Sequence, residues 1–240
     1  MALTLTDGTQ LTFLGHSTFT LKTPGGKRLL IDPWVENNPR CPKENKDLGP
    51  LDILLITHGH YDHIQDAVAI GKETGAQAVA VFETALWLGK KGIQNTAPIN
   101  KGGTLVQDGL KITMVHADHS CGITDGDQIV YGGEAGGYIL TLENGYRIYH
   151  TGDTAVFGDM ALIGQIYQPD LVLLPIGDRF VMSPLEAAHA CRLLGAKNVI
   201  PIHFATFPLL TGTPEAFQAE LDNLNLDTQV TVLEPGETLA

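Results

Sequence analysis

The chain has 240 residues, of which 15 are Lys or Arg and 27 are Asp or Glu, so its formal net charge is −12 with histidine counted as neutral. This acidic balance disfavours proteins that must neutralise many phosphates or bind an anionic membrane surface, so we expect neither nucleic acid nor membrane as a partner. Because 43% of the residues are apolar and only 18% are charged, the chain can bury a large core and is not a disordered segment.

Hydrophobic patterning predicts short strands in each half of the chain, followed by strands that alternate with helices. For the first half we expect strands over 11–14, 18–23, 28–31, 53–57 and 78–82 and helices over 62–73 and 83–90. For the second half we expect strands over 110–115, 138–142, 147–150, 171–176, 198–202 and 229–233 and helices over 159–167, 183–194 and 213–224. The intervening segments 34–50 and 132–137 are rich in proline or glycine, which predicts a long loop and a turn.

No segment between these elements has the composition of a linker, and a chain of this length commonly forms one domain. We therefore expect a single domain over residues 1–240. The first ten residues, MALTLTDGTQ, lack the basic flank and apolar stretch of a signal peptide. Cys41, Cys121 and Cys191 are odd in number and form no CxxC pair, which favours a reducing compartment. These features predict a cytoplasmic protein.

The most informative segment follows the strand expected over 53–57 and reads HGHYDH from residue 58. Imidazole is the commonest metal ligand at neutral pH, and Gly59 allows a tight turn in which neighbouring side chains converge. In such a turn His58 and His60 can face one metal ion, while Asp62 and His63 face another. The segment therefore predicts a metal site at the end of a strand.

This segment matches the HxHxDH signature of the metallo-β-lactamase fold hydrolases, and the chain resembles that family over nearly its whole length. Further landmarks follow in the order that the family shows: Asp118-His119-Ser120, Gly152-Asp153 and Ile202-His203-Phe204. The resemblance implies an α+β fold, a four-layer αββα sandwich of two sheets with helices outside, and a two-metal site along one edge.

The family pattern also implies a set of metal ligands. The first ion would be bound by His58, His60 and His119, and the second by Asp62, His63 and His203, with Asp153 and a hydroxide bridging the two. The cofactors expected are two divalent ions, with zinc preferred and Mn, Fe or Ni also compatible with mixed histidine and carboxylate ligands. Asp62 is in addition a candidate catalytic residue.

Within the family the chain is most similar to a branch of metal-dependent hydrolases related to the L-ascorbate-6-phosphate lactonase group. The phrases that carry this similarity are LGHS from residue 14, IDPW from residue 31, HTGDT from residue 150 and LPIG from residue 174. His16, in the first phrase, is a second candidate catalytic residue, as a substrate contact or proton donor, with structural packing as the alternative. Asp32, in the second, is expected to accept a hydrogen bond from a metal-bound imidazole, with turn formation as the alternative.

Two further residues have competing interpretations. His116 lies near His119 and competes with it as a ligand of the first ion, although the family pattern favours the histidine that is followed by serine. Arg179 follows a buried strand and could bind a substrate anion, with an ordinary surface ion pair as the alternative.

The expected chemistry is hydrolysis, because two metal ions about 3.5–4 Å apart can deprotonate a bridging water and polarise a carbonyl or phosphoryl oxygen. Two divalent ions set against two carboxylates and a hydroxide leave the site with about one positive charge. That charge favours a small-molecule substrate, an anionic or polar ester or lactone. The alternatives are a phosphodiesterase acting on nucleic acid or phospholipid and a non-catalytic metal-binding or redox-sensing protein. The sequence is also compatible with a homo-oligomer.

Overall fold

The computed structural model describes residues 3–240, which form sixteen strands and six α-helices. The strands are β1 Gln10–Gly15, β2 Thr18–Lys22, β3 Arg28–Ile31, β4 Ile53–Leu55, β5 Gln77–Val81, β6 Thr96–Ile99, β7 Thr104–Gln107, β8 Leu110–His116, β9 Gly122–Asp125, β10 Gln128–Tyr131, β11 Gly136–Thr141, β12 Arg147–His150, β13 Leu171–Pro175, β14 Asn198–Ile202, β15 Gln229–Val230 and β16 Thr238–Leu239. The helices are α1 Tyr61–Ile64, α2 Ala67–Thr74, α3 Phe82–Lys90, α4 Met160–Tyr167, α5 Pro184–Leu194 and α6 Pro214–Asn223.

Fourteen of these strands form two seven-stranded mixed sheets. The first has the order β16-β1-β2-β3-β4-β5-β6, and the second has the order β15-β14-β13-β12-β11-β8-β7. In the first sheet the pairing is antiparallel as far as β3 and parallel from β3 to β6. The second sheet is antiparallel from β7 to β12 and parallel from β12 to β15. Strands β9 and β10 form a separate hairpin.

Three apolar clusters define four layers. One lies between the two sheets and takes side chains from both, including Leu29 and Ile31 of β3 and Leu140 of β11. The intervening residue of β3, Leu30, belongs instead to a cluster between the first sheet and helices α1 to α3. A third cluster packs the second sheet against helices α4 to α6. Successive side chains of a strand point to opposite faces, so both faces of each sheet are covered. The expected αββα sandwich is therefore confirmed.

The strand expected over 229–233 is shorter in the structure, where β15 covers only Gln229–Val230, and two further predicted elements differ more strongly. The helix expected over 62–73 is two helices, α1 and α2, because Asp66 between them is engaged elsewhere. Its carboxylate accepts hydrogen bonds from the backbone amides of Val35 and Glu36, at 2.6 and 2.8 Å. The turn expected over 132–137 ends early, since Gly136 and Gly137 begin β11. A Cβ atom on Gly137 would lie 2.6 Å from the carbonyl oxygen of Thr151, so this strand position has room only for glycine.

The strands that the patterning did not predict are the short, partly exposed β6, β7, β9, β10 and β16. Their side chains face solvent on one side or alternate weakly, so they carry little hydrophobic signal. In the described part of the chain, no helix is long and apolar enough to cross a bilayer.

Candidate metal centre

One edge of the sandwich collects the carboxyl ends of strands from both sheets. Strands β1, β3 and β4 run in one direction in the first sheet, as do β8, β12 and β14 in the second. Each of these strands is followed closely by residues singled out from the sequence, in chain order His16, Asp32, the segment 58–63, His119, Asp153 and His203. Residues after carboxyl strand ends meet at one edge of a sheet, which explains why side chains so far apart in sequence converge.

Three imidazoles meet at one side of this edge. Nε2 of His58 lies 3.0 Å from Nδ1 of His60, and Nε2 of His119 lies 3.2 Å from the same atom. Metal–nitrogen bonds of roughly 2.0–2.1 Å at tetrahedral angles place ligand nitrogens about 3.3 Å apart, so the three atoms stand at the spacing that a shared cation requires. They are the three residues that the family pattern assigns to the first ion.

A second group of ligand atoms lies beside the first. One atom each of His16, Asp62, His63 and His203 lies within 4.8 Å of the others. Oδ2 of Asp62 is 3.8 Å from Nε2 of His203. Three of the four are the residues assigned to the second ion, and His16 is the addition that the structure makes.

Asp153 stands between the two groups. Its Oδ2 atom lies 3.9 Å from Nε2 of His58 and 3.8 Å from Nε2 of His119, in the first group. The same atom lies 3.3 Å from Nε2 of His63 and 3.0 Å from Nε2 of His203, in the second. Burial raises the pKa of Asp153, but His203 and His63 outweigh burial and hold the pKa well below its usual value. The side chain of Asp153 is therefore an anion that lies where two metal ions could both bind it.

Some buried polar atoms at this centre have no hydrogen-bond partner within residues 3–240, among them Nε2 of His63 and Oδ1 of Asp153. Buried polar atoms are almost always paired, and those left unpaired in a native protein commonly mark a missing ion or water. Nitrogen and carboxylate donors in this mixture suit divalent transition metals. The residues present thus fit the two ions that the sequence predicts.

A buried carboxylate behind the centre orients two of the histidines. Oδ2 of Asp32 lies 2.8 Å from Nδ1 of His63 and accepts a hydrogen bond of 2.8 Å from the hydroxyl of Thr57. The Thr57 oxygen in turn lies 3.0 Å from Nδ1 of His58. Both rings are thereby held with Nε2 toward Asp153, which is how outer carboxylates orient metal-binding imidazoles. The hydrogen bond expected between Asp32 and an imidazole is present at His63, whereas the hydrogen bonds of Thr57 to Asp32 and His58 were not predicted.

His16 lies behind Asp62 and is 1% exposed, so it does not reach the cavity above the centre. Its Nε2 is 3.0 Å from Oδ2 of Asp62, and its Nδ1 is 2.9 Å from the hydroxyl of Thr206. The ring packs on that of His203 with centroids 3.9 Å apart, and its carbonyl accepts the amide of His203. This placement argues for a role in positioning Asp62 and His203 and leaves the predicted substrate contact without support.

The ionisation of this pair follows from its surroundings. Burial, more than any other cause, lowers the pKa of His16 to about 4. Burial raises the pKa of Asp62, but the hydrogen bond from His16 and the charge of His63 outweigh it and lower the pKa to about 2. Near neutral pH a neutral imidazole therefore supports an ionised carboxylate, which is the form that binds metal.

The turn between His58 and His60 has no room for a side chain at Gly59. A Cβ atom there would lie 2.5 Å from Cγ1 of Ile123 in β9, and the Gly59 amide donates to Sγ of Cys121 at 3.3 Å. Cys121 is thus a buried support for the ligand turn. Burial raises the pKa of its thiol, and the ligand groups that the geometry defines do not include it.

Three other residues lie outside the ligand groups, namely the sequence candidates His116 and Arg179 together with His150. His116 is exposed, with Nδ1 3.1 Å from Nζ of Lys101. Arg179 lines a neighbouring surface depression, with its guanidinium 5.7 Å from the ring centroid of Phe180. His150 donates from Nε2 to the carbonyl of Ser17 and accepts the Gly152 amide at Nδ1, which fixes the turn that carries Asp153.

The centre forms the floor of an open cavity of about 570 Å³. Five of the predicted ligands reach this cavity: His60, Asp62, His119, Asp153 and His203. Its walls include residues that sequence reasoning missed, notably Tyr61 and the run Phe207-Pro208-Leu209. The available signal was an apolar run shortly after His203, between the strand expected over 198–202 and the helix expected over 213–224.

Comparison with known proteins gives a consistent result. The model of the beta-lactamase superfamily domain matches residues 27–204. The chain is similar to a UPF0173 metal-dependent hydrolase of Rubrobacter xylanophilus, with 52% identity over 97% of this chain and 96% of the relative. A UPF0173 metal-dependent hydrolase of Methanopyrus kandleri is 44% identical over 95% and 98% of the two chains. Among solved structures, the metallo hydrolase Igni18 of Ignicoccus hospitalis superposes with a TM-score of 0.84 at 35% identity, covering 96% of this chain and 97% of that one.

Proposed function

The chain belongs to the beta-lactamase superfamily as one of its metal-dependent hydrolases, and from that premise we propose that it cleaves a small ester or lactone at a two-metal centre. The position of Asp153 carries this proposal. One carboxylate oxygen lies within 4.0 Å of four imidazole nitrogens that belong to two separate ligand groups, as a ligand shared by two cations would.

The first ion would be held by His58, His60 and His119, and the second by Asp62, His63 and His203. When bound, two divalent ions such as zinc would supply a water of lowered pKa as the nucleophile and polarise the oxygen of the scissile group. His16 lies next to the residues of the second site on the side away from the cavity. Its hydrogen bond to Asp62 holds that ligand in position.

The chain itself contributes orientation and a proton acceptor. Asp32 accepts the Nδ1 proton of His63, so Nε2 is the atom of that ring that would bind the ion. The carboxylate of Asp62 lines the cavity, so it would be placed to accept a proton from an attacking water. The hydrogen bond from His16 holds that carboxylate in position during the transfer.

The scissile group would bind at the floor of the cavity. The positive charge of two bound ions would exceed the negative charge of the carboxylates around them. When the ions are bound, this floor would stabilise a carbonyl or phosphoryl oxygen that gains negative charge during hydrolysis. A small ester or lactone with a polar or anionic reacting group fits this floor, and the net charge of −12 makes a long polyanion a poor fit.

The test combines metal analysis with a substrate screen. Protein loaded with zinc or manganese and freed of excess metal is analysed by mass spectrometry of its elements, then assayed on lactones, carboxylic esters, phosphodiesters and phosphomonoesters. We expect two ions per chain and turnover of an ester or lactone. Turnover of a phosphodiester alone would replace the proposal with the phosphodiesterase alternative, and two bound ions without turnover of any class would favour a non-catalytic metal-binding protein.

A further inference from the structure

The cavity above the metal centre has a polar floor and an apolar wall. The wall is formed by Tyr61, Phe180, Phe207 and Leu209, together with Pro208. The side chains of Tyr61, Phe180 and Leu209 are 48%, 51% and 50% exposed, although they belong to three separate segments of the chain. Large apolar side chains that gather around one cavity while half-exposed lose contact with water when an apolar group enters.

The cavity offers no cationic side chain to a substrate. Among the described residues that line it, none is lysine or arginine. Arg179 is next to the wall residue Phe180, but its guanidinium lies beside that ring and lines the neighbouring depression. A second anionic group on the substrate would meet apolar side chains and the hydroxyls of Ser120 and Thr124 but no lysine or arginine, so its desolvation would go without the compensation of an ion pair.

The wall is held in place relative to the metal ligands. Trp34, which is 2% exposed, packs edge-on against Tyr61 and stacks on Phe207, with centroids 5.9 Å apart in both pairs. Tyr61 is the chain neighbour of both His60 and Asp62. The apolar surface thus begins directly beside the atoms at which the scissile group would bind.

We propose that the substrate carries an apolar substituent next to the scissile bond, and that this substituent contacts the wall formed by Tyr61, Phe180, Phe207 and Leu209. The inference rests on the proposed function and narrows it. The substrate class is a hydrophobic ester or lactone with at most one charged group, which binds at the metal centre. A sugar phosphate or another substrate with a charged tail does not fit.

A binding experiment tests this inference without requiring turnover. Acetate, hexanoate and adipate present the same carboxylate to the metal centre and differ only in their tails. Their affinities for the metal-loaded protein are measured by isothermal titration calorimetry. Full burial of a methylene strengthens binding about fourfold, so partial burial of four additional methylenes predicts hexanoate at least about tenfold tighter than acetate. Adipate, which has the length of hexanoate and a charged tail, should bind at least about tenfold more weakly than hexanoate.

Two variants test whether the preference for hexanoate over acetate depends on the apolar wall. Phe180→Ala combined with Leu209→Ala removes much of the wall and should reduce the preference for hexanoate over acetate to less than about threefold. Ile166→Ala is the matched control, since Ile166 is also an exposed apolar residue, at 66%, but lies on α4 against the outer face of the second sheet. It should retain the full preference. Equal affinities of hexanoate and acetate, or adipate binding as tightly as hexanoate, would overturn the inference.

Hydrolysis of methyl acetate, methyl butyrate and methyl hexanoate, followed by acid release, separates this inference from the proposed function. A rise in kcat/KM with chain length supports both. Hydrolysis at a rate independent of chain length leaves the proposed function standing and overturns the inference. Absence of hydrolysis of these esters and of the lactones in the substrate screen, together with tight hexanoate binding, contradicts the proposed function and preserves the apolar wall as a binding surface.

Discussion

Asp32 and His63 are joined by a hydrogen bond of 2.8 Å between Oδ2 and Nδ1, and both side chains are fully buried. Burial lowers the pKa of His63, but Asp153 and Asp32 outweigh it and raise the pKa well above its usual value. The His63 ring thus lies between two carboxylates, with Nδ1 facing Asp32 and Nε2 facing Asp153. Metal binding at Nε2 must displace the proton held there, whereas the bond to Asp32 can persist.

Replacement of Asp32 should weaken metal binding. In Asp32→Asn the acceptor for Nδ1 of His63 is altered and the hydrogen bond from Thr57 is weakened, so we expect a loss of about 10- to 100-fold in zinc affinity. Competition with a chromophoric chelator measures this. Asp52→Asn is the control, because Asp52 also accepts a backbone amide next to β3, at 2.8 Å from Arg28, but lies away from the centre. Unchanged zinc affinity in folded Asp32→Asn would contradict the orienting role.

Replacement of Asp153 should remove the group that the two ions share. Asp153→Ala leaves four imidazole nitrogens without the anion that now lies among them. We expect the metal content to fall from two ions per chain and hydrolytic activity to fall with it. Elemental analysis after gel filtration gives the stoichiometry. Two tightly bound ions in Asp153→Ala would show that each group binds its ion independently.

The two neighbouring histidines of the second half should behave differently. His119→Ala removes a nitrogen 3.2 Å from Nδ1 of His60, so the first ion and metal-dependent activity should be lost. His116→Ala removes an exposed ring beside Lys101 and should leave both unchanged. The pair serves as its own control, and full activity in His119→Ala would overturn the assignment.

His16 should affect the second ion selectively. Its backbone has a φ of +62°, a conformation that asparagine tolerates better than most residues, so His16→Asn changes the side chain with little backbone strain. Without the ring, Asp62 loses its hydrogen bond and His203 its packing partner, whereas His58, His60 and His119 are untouched. We expect about one ion per chain in place of two. A drop in melting temperature with two ions retained would indicate packing alone.

Small substrates should be turned over far better than nucleic acid. The protein carries a net charge of −12, and the cavity lining includes no lysine or arginine among the described residues, so a polyanion meets repulsion beyond the metal ions. Comparison of kcat/KM for a small ester with that for an oligonucleotide at moderate salt measures the difference. Efficient oligonucleotide cleavage that declines steeply as salt rises would reveal a polyanion-binding surface and reverse the ranking.

Much of the fold and the ligand set could be inferred from the sequence, because both depend on short-range patterns. Hydrophobic periodicity located most of the strands of both sheets, and the HGHYDH segment together with the motifs at His119, Asp153 and His203 indicated the residues that the structure brings together. These predictions were possible because a strand followed by a turn with histidine and aspartate side chains is recognisable within about ten residues.

The remaining features depend on contacts between distant segments, which no local pattern encodes. The break between α1 and α2 arises because Asp66 binds amides of the loop at Val35, about thirty residues earlier in the chain. His16 is a buried support for Asp62 because its ring is held by Thr206, 190 residues away. The apolar wall exists because three segments that follow different strands, β4, β13 and β14, meet at one edge of the sandwich. Sequence determined which chemistry the chain carries, whereas the packing of two sheets decided which side chains face the cavity and which stand behind it.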